Sequence, residues 1–199
     1  MKIIVVGATG TIGRAIVDEL SPRHDLVKVG NQKGDVNVDI TSTESIVQMY
    51  ETVGAFDALV SATGKGYFGD FDNLNAAEME IGIQSKLMGQ INLVLIGRNY
   101  ISDRGSFTLT SGILSQDPVP GGAALSTINA GIDGFAIGAA IDMSRGIRIN
   151  SVSPGVVLES MEIYAPYFRG HDPVPVARVA RAFSKSVEGR LNGQVFRVY

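Results

Sequence analysis

Short apolar segments alternate with longer segments of helical periodicity along almost the whole chain. The short segments are bounded by glycine and polar residues, which is typical of strands that are buried on both faces. They predict seven strands, at Ile3–Val6, Leu26–Val29, Val36–Asp39, Ala58–Val60, Ser106–Leu109, Ile147–Val152 and Val195–Val198. The longer segments predict five helices, at Arg14–Leu20, Thr43–Tyr50 (capped by Thr41 or Ser42), Ala76–Asn99, Gly122–Met143 and Val176–Val187.

This alternation predicts an α/β fold: one doubly wound parallel sheet of about seven strands with helices on both faces. A chain of 199 residues that is 45% hydrophobic fits a single domain, residues 1–199. In such sheets ligands bind at the carboxyl ends of the strands, near the point where the strand order reverses. One segment at that edge, residues 154–175, is long, irregular and rich in aromatic residues, so we expect a lid there.

Three glycines follow the first predicted strand at three-residue spacing. Gly7 permits a tight turn, Gly10 lets a pyrophosphate approach the backbone, and Gly13 lets the next helix pack closely. The N-terminus of that helix offers free N–H groups to phosphates. An ordinary glycine turn is the alternative, but the strand before the motif and the helix after it favour dinucleotide binding.

Composition and charge exclude several function classes. The chain has 17 basic and 20 acidic residues, a net charge of −3 and no basic run, so we expect no nucleic-acid partner. It has no cysteine, which is compatible with the cytoplasm. The first apolar run is too short for a signal peptide, and Gly134–Ile141, the longest apolar stretch, is too short to span a bilayer. No residues have metal-ligand spacing, and there is no Gly-x-Ser-x-Gly motif, so we expect a small-molecule substrate and no metal.

Several motifs, taken in order, resemble those of the short-chain dehydrogenase/reductase family, and the resemblance runs from the first strand to the last. The glycine motif is similar to the family's own, and an acidic pair follows the third strand. Where the family has Asn-Asn-Ala-Gly and then its catalytic serine, this chain has comparable segments after the fourth and fifth strands. A Pro-Gly pair of the kind that lies against the nicotinamide follows the sixth strand. These segments are, in order, Asp39-Ile40, Ser61–Gly64, Thr110–Gly112 and Arg148–Gly155. In addition, Asn192–Gln194 resembles the family segment that leads into the last strand.

The resemblance implies a Rossmann-type fold and an NAD(P)-dependent oxidoreductase that acts on a small carbonyl or alcohol. It implies that the substrate oxygen is bound by Ser111, whose alternative role is that of a capping or loop hydroxyl. The cofactor-binding residues that we expect are Gly7, Thr9, Gly10, Thr11, Ile12, Gly13, Asn31, Lys33, Asp39, Ile40, Ala62, Thr63, Gly64, Asn129, Pro154, Gly155 and Val157.

The catalytic motif departs from the family pattern. The family carries Tyr-x-x-x-Lys on the helix after the serine, whereas the best register here gives Leu125 and Asn129. No tyrosine lies between Tyr100 and Tyr164. In the family the phenol supplies a proton and the lysine lowers its pKa and holds the ribose. Leucine can do neither, while Asn129 can still bond a ribose hydroxyl without contributing charge.

Lys86 stands where the family has a helix asparagine, and it is a candidate catalytic residue. Beside the nicotinamide its ammonium can polarise a carbonyl or donate a proton, and burial would lower its pKa towards a useful range. The alternative is a structural ion pair or a side chain that reaches water, and we favour it on sequence alone because most lysines are solvated. Tyr164 and Tyr167 on the expected lid are further sources of a phenol.

The second predicted strand bears on the choice of cofactor. An Asp or Glu at its end would grip the ribose 2′-hydroxyl of NAD, but no carboxylate occurs there before Asp35. Lys33 and Asn31 can instead meet a 2′-phosphate. This favours NADP, with NAD as the alternative.

Two functional hypotheses remain open from the sequence. One is an NADP-dependent oxidoreductase of atypical mechanism; the other is a non-catalytic NADP-binding sensor or regulatory protein that kept the fold and lost the chemistry. In either case the two long helices resemble those that pair across subunits in the family, and both carry small residues. We therefore expect a homodimer or homotetramer.

Overall fold

The computed structural model describes residues 1 to 199 and contains one sheet of seven parallel strands. The strand order is β3-β2-β1-β4-β5-β6-β7, so the direction of winding reverses between β1 and β4. This confirms the predicted doubly wound fold. The strands are β1 (Lys2–Val6), β2 (Asp25–Gly30), β3 (Val36–Asn37), β4 (Phe56–Ser61), β5 (Ile101–Thr110), β6 (Arg148–Pro154) and β7 (Val195–Val198).

Seven α-helical segments cover the two faces of this sheet or lie at its carboxyl edge. Ser42, and not Thr41, caps the second helix, because its hydroxyl accepts a hydrogen bond from the Ser45 N–H at 3.1 Å. The segments are α1 (Thr11–Leu20), α2 (Thr43–Val53), α3 (Ala76–Gly82), α4 (Gly89–Gly97), α5 (Ala123–Asp142), α6 (Met161–Tyr164) and α7 (Val176–Glu188).

Alternation of side chains along β1 explains the two layers of the core. Ile4 and Val6 belong to a cluster with α2, α4 and α5, whereas Ile3 and Val5 belong to a cluster with α1 and α7. All four side chains are buried, so this strand is apolar on both faces and cannot slip by one residue without moving each side chain to the other layer.

Several predicted boundaries are wrong: β5 begins at Ile101 and not at Ser106, and two further boundaries differ for local reasons. Helix α1 begins at Thr11, three residues before the predicted start, because Gly10 is its N-cap and Gly13 already lies in its first turn. Strand β3 ends at Asn37 and does not reach Asp39. The Asp39 carboxylate accepts hydrogen bonds from the Thr41 N–H at 2.9 Å and the Thr41 hydroxyl at 2.7 Å, which turns the chain and lowers the pKa of Asp39.

The predicted helix over residues 76–99 is not one regular helix. A π-helical segment, Ile83–Met88, separates α3 from α4, and it carries Lys86. Its wider turn is fastened to β5 by Gln90, whose amide donates to the carbonyls of Lys86 at 3.1 Å and Thr110 at 2.9 Å. The same amide accepts from the Thr110 N–H at 2.9 Å. π-helical turns are often found at functional sites, and this one lies beside the carboxyl edge of the sheet.

Helix α5 is the one helix with the length and apolar composition of a membrane-spanning segment. It packs Ile128, Ile132 and Ala136 into the core, with all three side chains fully buried. The core accounts for one side of its apolar character, while Ile137 and Ile141 on the outer side are 48% and 84% exposed.

Candidate functional site

The turn after β1 requires its glycines. Gly7 has φ +83°, and a Cβ at this position would overlap the carbonyl oxygen of Ala62. A Cβ at Gly13 would overlap the carbonyl oxygen of Gly7, so this glycine fits the helix to the turn and not directly to the sheet. A Cβ at Gly10 would meet only the Gly7 carbonyl, at 3.5 Å, and otherwise faces open space. The first N–H groups of α1, which has no side-chain cap, therefore adjoin a cradle that a phosphate can enter.

A cavity of about 740 Å³, here called the β2 cavity, opens at the carboxyl ends of β1 and β2. Predicted cofactor-binding residues form much of its wall: Gly7, Thr9, Gly10, Asn31, Asp39, Ile40, Ala62 and Thr63. Its other lining residues include Thr41, Ile81, Gln84 and Ser85, which belong to no site motif in the sequence, and Lys65, a loop residue after the fourth strand that the sequence favoured only weakly. Most of these come from α3 and the π-helical segment, whose approach to the cavity has no sequence signal.

Three predicted cofactor residues do not line a cavity. Lys33 is exposed on the turn after β2, and the cation among the lining residues of the β2 cavity is Lys65. Gly13 lies inside α1. Gly64 has φ +115°, and a Cβ there would lie 2.6 Å from the Cα of Lys86. Gly64 thus allows the π-helical segment to approach the end of β4.

A second cavity, of about 350 Å³ and here called the β5 cavity, lies at the carboxyl ends of β5 and β6. It meets the β2 cavity at Gly10 and Ala62, which line both. Besides Gly10 and Ala62, it is lined by both catalytic candidates, both altered motif positions and five more predicted cofactor residues. These nine residues are Ser111, Lys86, Leu125, Asn129, Thr11, Ile12, Pro154, Gly155 and Val157.

The Lys86 ammonium is held at this cavity by two oxygen atoms. It donates to the Asn129 side-chain oxygen at 2.7 Å and to the Ser111 carbonyl at 3.1 Å. No carboxylate lies within salt-bridge distance, so the structural ion pair that was one alternative on sequence alone is not formed. The residue is half-buried and lines the cavity. Burial lowers the pKa of Lys86 to about 8, and the charge of Asp133 opposes part of that shift. An ammonium has three N–H donors, which leaves one for a ligand.

The Ser111 hydroxyl has only a weak protein partner. The residue is buried, and its backbone N–H donates to the Val152 carbonyl at 2.9 Å. Its Oγ lies 3.4 Å from the same carbonyl, which is long for a hydroxyl donor. Ser111 does not cap a helix, so its hydroxyl can bond a ligand oxygen in the cavity.

Leu125, at the position of the family's tyrosine, forms an apolar part of the wall. It lies against Gly66, where a Cβ would be 2.5 Å from Leu125 Cδ2. The phenol that does line the cavity belongs to Tyr164, on α6. The proton donor of the family is therefore absent from α5, while an ammonium and a phenol approach from other elements.

Asp133 is a buried carboxylate that the sequence analysis missed. It lies one helical turn after Asn129 and is 8% exposed. Its oxygens accept from the Ser151 hydroxyl at 2.7 Å and the Ser115 hydroxyl at 3.1 Å. No cation pairs with it directly, so its charge acts on the Lys86 ammonium across Asn129. An isolated Asp on a long helix resembles a surface residue in sequence.

Aromatic side chains form one part of the wall of the β5 cavity and pack against one another. Phe68, after β4, meets the rings of Tyr164 and Tyr167 edge-on, with centroids 6.3 and 4.8 Å away. Phe168 meets Tyr164 edge-on at 6.3 Å and His171 at 5.3 Å. These contacts join residues 154–175 to the loop after β4, which is the position expected of a lid.

Comparison with known proteins gives consistent matches. The family model described as enoyl-(acyl carrier protein) reductase matches residues 6–181. The crystal structure of the protein lin1944 from Listeria innocua is 49% identical, with a TM-score of 0.99 and full coverage of both chains. A small-chain dehydrogenase in complex with NADPH has the same fold, with a TM-score of 0.88 at 24% identity over 100% of this chain and 96% of that one.

One curated relative is named for binding a nucleotide and not for a dehydrogenase activity. The cyclic-di-GMP-binding biofilm dispersal mediator protein of Escherichia coli (strain K12) is 27% identical over 124 residues. The match covers 61% of this chain and 52% of that protein, so the chain spans about half the length of this relative.

Proposed function

Because the chain belongs to the short-chain dehydrogenase/reductase family, we propose that it is an NADP(H)-dependent oxidoreductase that reduces a small carbonyl compound with Lys86 as proton donor. The single observation that carries the proposal is the Lys86–Asn129 hydrogen bond of 2.7 Å at the floor of the β5 cavity. Lys86 stands at the family's asparagine position and Asn129 at the family's lysine position, and the two side chains are hydrogen-bonded to each other. The ammonium is thus kept at the site although it comes from another element.

The two adjoining cavities fit a dinucleotide. The glycine turn and the uncapped N-terminus of α1 lie where the cavities meet, which suits the pyrophosphate. Asp39 and Ile40 would hold the adenosine end, and Ile12, Pro154, Gly155 and Asn129 the nicotinamide end. When bound, the reduced nicotinamide supplies the hydride that the carbonyl carbon receives.

NADP is favoured over NAD by the end of β2. Its last residue is Gly30, and the side chain next to it in the β2 cavity is Asn31, which is not a carboxylate. Lys65 brings a positive charge to the same cavity. We propose Asn31 and Lys65 as the groups nearest to a 2′-phosphate, in place of the expected Lys33.

In the proposed reaction Ser111 and Lys86 divide the work at the substrate oxygen. The Ser111 hydroxyl orients the carbonyl, and the free N–H of Lys86 bonds the same oxygen. As the carbon gains a hydride, the oxygen takes the Lys86 proton, so the products are an alcohol, the oxidised cofactor and a neutral amine that solvent reprotonates. A lysine whose pKa lies near 8 is suited to this step, because it is protonated at neutral pH yet gives up its proton readily.

The test compares NADPH-dependent carbonyl reduction by the native chain with that of Lys86→Met. Loss of a general acid lowers kcat by about 10² to 10⁴-fold. Lys28→Met, on the exposed side of β2, is the matched control and should keep native activity. Full activity of Lys86→Met would refute the proposed role. If Tyr164→Phe abolished activity instead, the phenol on α6 would be the donor.

A second candidate function is a non-catalytic nucleotide-binding regulator. Two observations favour it: Leu125 at the tyrosine position, and the Escherichia coli relative, whose name describes a cyclic-di-GMP-binding mediator. Calorimetric titration with NADPH and with cyclic-di-GMP separates the two candidates. Binding of either nucleotide, with no hydride transfer to any carbonyl, would favour the regulator.

A further inference from the structure

Much of the wall of the β5 cavity is apolar, and several of its residues are buried. Ile113, Leu114, Val156 and Phe168 are each at most 8% exposed and pack together in one cluster. Phe68 and Leu125 pack against this cluster and also line the cavity. A ligand that enters therefore meets hydrocarbon and aromatic surface over most of its area.

Charge is confined to one point of the cavity. Among the lining residues Lys86 is the one charged side chain, and there is no Asp, Glu, Arg or His. Two of its three N–H groups are already bonded to Asn129 and Ser111. A carboxylate or phosphate group has several acceptor oxygens and usually binds to a fork of donors, which this cavity does not offer. One carbonyl oxygen needs only the remaining N–H and the Ser111 hydroxyl.

The size of the cavity sets a further limit. Its volume of about 350 Å³ includes the space beside Gly10, Ile12, Pro154 and Gly155, where the nicotinamide end of the cofactor is expected. Ligand cavities run from roughly 300 to 1,000 Å³, so this one is small even before the cofactor takes its share.

We propose that the substrates are small, uncharged ketones or aldehydes with an alkyl or aryl group, and that Leu125 and Phe68 select them. This inference rests on the proposed function, because the carbonyl position is set by Ser111 and Lys86. A charged group elsewhere on the substrate would face uncharged, largely apolar surface with no counter-ion, which disfavours carboxylic acids and phosphorylated compounds.

Leu125 is the more informative of the two selecting residues. It can lie over the loop after β4 only because Gly66 has no side chain. Leu125→Asn keeps nearly the same size while replacing apolar surface with an amide. Leu191→Asn makes the same change at a residue that is 47% exposed and distant from both cavities, so it is the matched control.

The experiment titrates NADPH-saturated protein with acetophenone and with phenylglyoxylate, which differ by a carboxylate in place of a methyl group. Binding is followed by calorimetry, and hydride transfer separately by NADPH absorbance. We expect acetophenone to bind at least about tenfold more tightly than phenylglyoxylate. Leu125→Asn should weaken acetophenone binding about tenfold and leave NADPH binding unchanged, and Leu191→Asn should change neither.

The two readouts separate this inference from the proposed function. Equal or tighter binding of phenylglyoxylate would overturn the inference, because Lys86 would then act as an anion anchor. Binding of neither compound, or an unchanged acetophenone affinity in Leu125→Asn, would also overturn it. If acetophenone binds as expected but no hydride is transferred, the ligand class stands and the proposed reductase activity falls.

Discussion

At the scale of single residues, the site depends on a charged group in an unusual place. Lys86 is held by the Asn129 side chain and the Ser111 carbonyl, with the Asp133 carboxylate as the nearest opposite charge beyond Asn129. The protein thereby keeps an ammonium in a cavity whose other lining side chains are uncharged. This is unfavourable for folding, and such arrangements persist mainly where the group is used.

Lys86 should lower the stability of the protein below pH 8. Its pKa falls from 10.5 in the unfolded chain to about 8, so the unfolded chain binds more protons between these values and stability rises with pH across them. Lys86→Met removes this dependence. The melting temperature of Lys86→Met, compared with that of the native chain, should be highest below pH 8. This advantage should decrease as the pH rises towards 10.5. Parallel stability curves over that range would contradict the burial of the ammonium.

Asp133 should tune the pH dependence of the reaction. If Lys86 is the proton donor, native activity should fall as the pH rises through about 8, because Lys86 loses its proton. Asp133→Asn removes the charge that raises the pKa of Lys86, so activity should fall at a lower pH. The exposed Asp142, on the same helix, gives the control Asp142→Asn. A pH–rate profile with the same midpoint in native protein and in Asp133→Asn would show that this carboxylate has only a structural role.

The sequence could predict where these residues stand but not how they meet. The positions of Ser111, Leu125 and Asn129 follow from motif spacing, so their place at the carboxyl edge was predictable. The burial of Lys86 depends on a π-helical turn, on Gly64 and on the Gln90 amide, none of which has a pattern that a sequence displays. Asp133 gave no signal because its two hydroxyl partners are 18 residues away along the chain in either direction.

At the scale of elements, one acidic side chain ties α7 to the end of α1. The Glu188 carboxylate accepts from Arg23 Nε at 2.9 Å and from the Ser184 hydroxyl at 2.8 Å, and it contacts His24 Nε2 at 2.8 Å. The hydrogen bond from Arg23 is the largest cause that lowers the pKa of Glu188 to about 2. The contacts fix the C-terminal end of α7 against the layer formed by α1.

Glu188 should therefore contribute to stability above its unfolded pKa of 4.5, and this contribution should be lost as the pH falls from 4.5 towards 2. Glu188→Gln should be less stable than the native chain by roughly 1 kcal/mol near neutral pH, since partly exposed ion pairs are weak. This difference in the free energy of unfolding should disappear as the pH falls towards 2. Glu51→Gln, at an exposed carboxyl of α2, is the control for the general effect of removing a charge. A gap that persists at pH 2 would contradict the ionic origin.

The outer faces of α4 and α5 carry the apolar residues expected of a subunit interface. Leu95, Ile137 and Ile141 are 40%, 48% and 84% exposed, and a Cβ at Gly134 would have no neighbour within 4 Å. We propose that these faces pair in a homodimer or homotetramer. Light scattering should give a multiple of the chain mass for the native protein and the mass of one chain for Ile141→Asp. Ile163→Asp, on α6, should not dissociate it, and a monomeric native protein would reject the proposal.

At the scale of the whole molecule, the doubly wound parallel sheet was the most predictable feature. Seven apolar runs separated by helical segments leave few topologies with right-handed crossovers, and the sheet is doubly wound as predicted. Irregular parts were less predictable, because their conformation is set by contacts between distant residues. The aromatic cover of Phe68, Tyr164, Tyr167 and Phe168 joins two loops about a hundred residues apart, and only their aromatic composition hinted at it.

The proposed function depends most directly on cofactor binding at the glycine turn, and a titration of the native chain with NADPH and NADH tests this binding. Nicotinamide fluorescence gives the affinity, and the shift in melting temperature gives an independent measure. We expect NADPH to bind at least about tenfold more tightly than NADH, because a 2′-phosphate adds charged hydrogen bonds. Binding of neither nucleotide would contradict the proposed function, since the glycine turn after β1 would then have only a structural role.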